Sequence, residues 1–97
     1  MSDSLIKKLP AVHVSEFLAT ATAVSTTVGA TQVVSITDVV NSGASVLDIK
    51  ESVTGGDVAM KVPAATAVSL QVPLRMAAGK KPFASVAGAT IGFIVEG

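Results

Sequence analysis

Residues 44–74 constrain this chain more than any other stretch. Three short runs alternate apolar and polar residues, and two turn signals separate them. Leu47 and Ile49 alternate with Asp48 and Lys50. After Thr54-Gly55-Gly56-Asp57, Val58, Met60 and Val62 alternate with Ala59 and Lys61. After Pro63-Ala64-Ala65, Val68, Leu70, Val72 and Leu74 recur at every second position and are expected to point inward. A period of two between glycine- and proline-marked breaks is the pattern of an antiparallel β-meander.

The rest of the chain extends that pattern. A strand is expected over 19–26, rich in Thr and Val, and another over 31–40, with Val34 and Ile36 on one face and Ser35 and Thr37 on the other. Asn41-Ser42-Gly43 marks a turn, because Asn and Gly tolerate a positive φ. A strand is expected over 46–53, a tight hairpin at 54–57, and strands over 57–62 and 66–74. Pro73 should lie at an edge or a strand end, since it donates no ladder hydrogen bond. A loop over 76–82 leads to a last hairpin, 83–86 with 89–95, turning at Ala87-Gly88. Ile91, Phe93 and Val95 share one of its faces.

About seven short strands with turns about every 8–12 residues predict an all-β fold, a small antiparallel β-sandwich of jelly-roll or immunoglobulin-like kind. Two regions are expected: an N-terminal extended arm over 1–18 and the sandwich over 19–97. Pro10 limits any helix capped by Ser2-Asp3-Ser4 to about two turns. The residues after it alternate only weakly.

A chain of 97 residues supports one small domain. Charged residues make up 14%, against about 25% in ordinary soluble domains, and aromatics only 3%, so the core is built of small pieces. A modest core and a formal net charge of zero both favour association with further copies. Seven basic residues balanced by seven acidic ones argue against nucleic acid as a partner. The absence of cysteine excludes disulfides, thiol catalysis and cysteine-ligated zinc, and suits assembly in a cytosol. Residues 17–37 are uncharged, yet too rich in Thr, Ser and Gln for a membrane span. Pro10, His13, Ser15 and Glu16 interrupt the apolar stretch after Lys7-Lys8 that a signal peptide requires.

The chemistry-bearing residues are few. His13 is the only imidazole, and a catalytic histidine needs a nucleophile or carboxylate partner. It reads as a surface or partner-packed residue. Asp48, Glu51 and Asp57 flank the Gly-Gly turn without calcium-loop spacing, and read as solvated charges on a strand face. Arg75, Lys80 and Lys81 form the only basic cluster, a solvated loop that would suit an acidic surface or an anion. No phosphate-binding loop or serine elbow is present in the sequence. The many serines and threonines suit a wettable sheet face. A sugar site would call for exposed aromatic rings or bound calcium; there is no Trp or Tyr, and Phe17, Phe83 and Phe93 read as core or interface residues. The expectation is therefore a protein that is not an enzyme and carries no cofactor.

One resemblance goes further. The stretch Val40-Asn-Ser-Gly-Ala-Ser-Val-Leu-Asp-Ile-Lys-Glu51, the stretch Val58-Ala-Met-Lys-Val-Pro-Ala-Ala-Thr-Ala-Val-Ser-Leu-Gln-Val-Pro-Leu74 and the closing Ala84-Ser-Val-Ala-Gly-Ala-Thr-Ile-Gly-Phe-Ile-Val95 share a cadence of strands and turns. The cadence resembles that of the small β-sandwich virion proteins of tailed bacteriophages, over about residues 30–97. The resemblance implies a noncatalytic structural role, first as a capsid decoration (cement) protein on the head. The alternative is a tail or fibre accessory domain that binds the host surface. It also implies a homo-oligomer, a trimer for choice, made in the host cytoplasm and carried on the virion against the major capsid protein or another virion protein. The expected partner-binding residues are Leu5, Ile6, Leu9, Val12, Val14 and Phe17, apolar side chains outside the sandwich pattern.

Overall fold

The computed structural model describes residues 11–51 and 56–97. They form an all-β, two-sheet antiparallel sandwich of seven strands. These are β1 (Ala11–Leu18), β2 (Val33–Asn41), β3 (Leu47–Lys50), β4 (Val58–Val62), β5 (Thr66–Arg75), β6 (Phe83–Ala84) and β7 (Ala89–Glu96). One sheet has the order β1-β7-β2-β5, and the other β4-β3-β6. Among the described residues no helix is long and apolar enough to cross a membrane.

The larger sheet follows from matched alternation. On its core side, Val14, Phe93, Ile36 and Leu74 stand in one row across all four strands, and Glu16, Ile91, Val39 and Val68 in the next. Phe93, Ile36, Ile91 and Val39 are fully buried, and Leu47, Ile49 and Val62 of the smaller sheet close over them. Simple alternation from Val34 and Ile36 would also bury Asp38 and Val40. A bulge at Thr37 resets the count: Val39 and Asn41 turn inward, while Asp38 and Val40 turn out. On the outer face the Asp38 carboxylate lies across Gly92, where any Cβ would collide with its Oδ1.

Asn41 is buried and fully satisfied. Its Nδ2 donates to the carbonyls of Ser45 (2.8 Å), Val62 (3.1 Å) and Pro63 (3.1 Å), and its Oδ1 accepts from the Gly43 N–H (3.0 Å). The expected turn at 41–43 is there, but the cause is these side-chain bonds. Among the described residues the left-handed backbone belongs to Ala65 (φ 54°) and to Gly79, Gly88 and Gly97. Gly88 (φ 94°) makes the step from β6 to β7 and donates its N–H to the Leu18 carbonyl at 2.9 Å.

Five expectations need correction. Residues 19–26 form no strand; only Ala23 bridges Phe83, with Val24 N–H to the Pro82 carbonyl and Ala84 N–H to the Thr22 carbonyl alongside. The final segments are not a hairpin. The chain changes sheets between them, so β6 pairs with β3, and β7 with β1 and β2. Val58 leaves the face of Met60 and Val62, because a bulge opposite Ile49 and Lys50 brings it level with Lys50. Val72 does not point inward: it is 81% exposed. Four residues of β5, Leu70 to Pro73, lie between the pairs Asp38–Ser69 and Ile36–Leu74, where β2 has only Thr37. That excursion also absorbs Pro73, on an edge strand as expected. Lastly, the larger sheet starts at Ala11 and not at residue 19, since the second half of the expected arm pairs with β7 along its whole length. Val12, Val14 and Leu18 match the inward alternation of β7, and that weak period is what zips the segment on. Of the hairpin expected at 54–57, residues 54 and 55 lie outside the described residues; the Glu51 N–H meets the Asp57 carbonyl at 3.2 Å.

Candidate partner interface

The expected partner-binding residues divide three ways. Leu5, Ile6 and Leu9 lie outside the described residues. Val12 and Val14 stand on the core side of β1, level with Val95 and Phe93. Val14 packs against the core, but Val12 at the margin is 59% exposed. Phe17 stands on the opposite, outer face, 63% exposed. It heads a row that continues through Thr90 and Val40 to Ala67. The expected apolar stripe is therefore two surfaces, one on each side of a single strand.

β1 is also a sheet margin. One side pairs with β7 from Ala11–Glu96 to Leu18–Ala89 without a register shift. Among the described residues, no backbone group outside β7 bonds to the backbone of residues 11–17, and the Leu18 backbone receives only the Gly88 N–H. Half the strand's peptide groups thus face outward, as every sheet edge leaves them. The sequence showed the apolar side chains but not this edge, because a strand's neighbours are set by the rest of the fold.

Glu16 is the one carboxylate on the core side of this edge. Its oxygens accept from the N–H (2.7 Å) and Oγ (2.8 Å) of Ser25, and from the N–H (3.0 Å) and Oγ1 of Thr26. Partial burial pushes its pKa up, but the hydrogen bonds from Thr26 and Ser25 together outweigh that and hold it below the ordinary glutamate value. The clasp ties β1 to the connection that follows it. An open cleft of about 510 Å³ lies beside it, lined by Glu16, Phe17, Leu18, Ala23, Val24 and Lys81 among others.

The other chemistry-bearing residues are dispersed. The His13 ring lies 3.5 Å from the Thr37 hydroxyl, which itself donates to Asp38 at 2.8 Å. Asp48 pairs with Lys61 at 3.0 Å on the exposed side of the smaller sheet. The basic cluster does not assemble. Lys81 reaches the Thr26 carbonyl (3.4 Å) beside the large cleft, whereas Arg75 lines a separate depression of about 190 Å³ with Thr31, Val33, Glu96 and Gly97. Among the described residues, no three His, Asp or Glu side chains lie close enough to share a metal ion.

No family model matches the chain, and no curated protein or solved structure is significantly similar to it.

Proposed function

We infer that this protein is a noncatalytic structural component of a tailed-phage virion, a decoration protein that binds the assembled head shell and braces it. The observation that supports this reading is the character of β1. Three of the six apolar residues marked as partner-binding lie on one edge strand, with Val12 and Phe17 exposed on its two sides. A strand of this kind serves contact with other chains: its backbone offers hydrogen bonds, and its side chains offer apolar surface on both faces. The neutral overall charge lets copies crowd on a shell without mutual repulsion.

Separating heads from tails of purified particles and probing each fraction for this protein tests the reading. Many copies on heads, shed together with resistance to heat, are the expected result. A few copies confined to tails support instead the host-binding accessory role. Absence from both fractions overturns the virion assignment.

A further inference from the structure

The two sheets have four margins, and three of them are guarded. β5 carries Pro73 and the Leu70–Pro73 excursion, which breaks its outward ladder. β4 is five residues long and bulged. β6 is two residues long and is capped by the bridge from Ala23. β1 alone is long, regular, and free of lysine, arginine, proline or bulge. Its one inward charge, Glu16, is already held by Ser25 and Thr26 of its own chain, so it does not confront a neighbouring strand.

We propose that β1 pairs antiparallel with β1 of a second copy, joining two four-stranded sheets into one of eight strands. This rests on the reading of the protein as a self-associating structural component and specifies the contact. The second copy is the occupant that the surface fits. The strand is self-complementary: centred near Val14 or Ser15, the two-fold pairing sets Glu16 opposite Val12 or Val14 of the partner, so no like charges meet. The added strand covers Val12, the one member of the row Val12–Val95–Val34 left in solvent. Edge pairing over eight residues is a small interface, so the pair separates on dilution.

The test is sedimentation of the full chain across a concentration series, with Ser15→Lys and Ser15→Glu as variants. Ser15 is exposed near the middle of β1, and both changes leave the fold in place, as thermal melts check. The expected result is a concentration-dependent dimer, weakened about tenfold or more in either variant by like charges set opposite or diagonal to one another across the two-fold. An equimolar mixture of the two variants recovers it. A trimer that ignores charge at Ser15 overturns edge pairing while leaving self-association standing. A monomer at every concentration overturns both.

Discussion

The two margins of the larger sheet, β1 and β5, begin from the same position and end differently. Each is a long outer strand paired to one central neighbour. β5 is lifted off the ladder for four residues, with a proline at the end of the excursion and Val72 turned into solvent. β1 runs straight for eight residues, with no device against a further strand. A chain that closes one margin and leaves the other open has a direction of growth. The contrast shows that edge character is written in irregularities, a bulge or a misplaced proline, more than in the apolar content that both strands share.

Both margins hang from β7 and β2, so the harshest way to break the comparison is to remove what holds those strands together. Phe93→Ala empties the centre of the core and is expected to cost about 3–5 kcal/mol in urea unfolding. Amide exchange should rise at β1 and β5 alike; a rise at one margin only would mean that they are anchored separately. Asn41→Ala comes next, at about 2–3 kcal/mol, because it strips partners from the buried carbonyl of Val62 and from its neighbours at the corner where β5 begins.

On the β1 side the matching anchor is Glu16, and Glu16→Gln should cost about 1–2 kcal/mol at neutral pH. The folded-state pKa is lowered, so in the window between it and the ordinary value the unfolded chain binds more protons and stability falls with falling pH. The deficit of the variant is therefore full above the ordinary glutamate range. It shrinks as pH drops through the lowered value, which paired melts at pH 7 and in acid will read out. Ala65→Gly should stabilise by about 0.5–1 kcal/mol, since glycine holds the left-handed turn before β5 without a Cβ clash. Smallest of all, Val72→Ser should stay within about 0.5 kcal/mol. A loss several times larger would return Val72 to the core and erase the excursion that sets β5 apart.

Much of the fold was legible because alternation survives wherever a strand has one wet face. Leu47 and Ile49 inside, Ile91, Phe93 and Val95 together, and Pro73 on an edge all follow from local pattern. What local pattern does not carry is pairing. The bulge at Thr37 resets which of Asp38 and Val39 is buried, and nothing in the local run of residues marks it. The strand expected over 19–26 has the right composition, but it makes only a single bridge to β6, Ala23 with Phe83. The apolar members of the candidate interface were visible in the sequence as Val12, Val14 and Phe17. Their separation onto two faces, and the clasp of Glu16 on Ser25 and Thr26, depend on a partner strand distant in the sequence and on a loop that folds back.

Amide hydrogen exchange of the full chain, followed from dilute to concentrated solution, compares the two margins in one experiment. Open-edge pairing predicts that outward amides of Ala11–Leu18 gain protection as concentration rises, while those of the Leu70–Pro73 excursion stay unchanged. Protection of β1 that is independent of concentration, or a gain confined to β5, would contradict it.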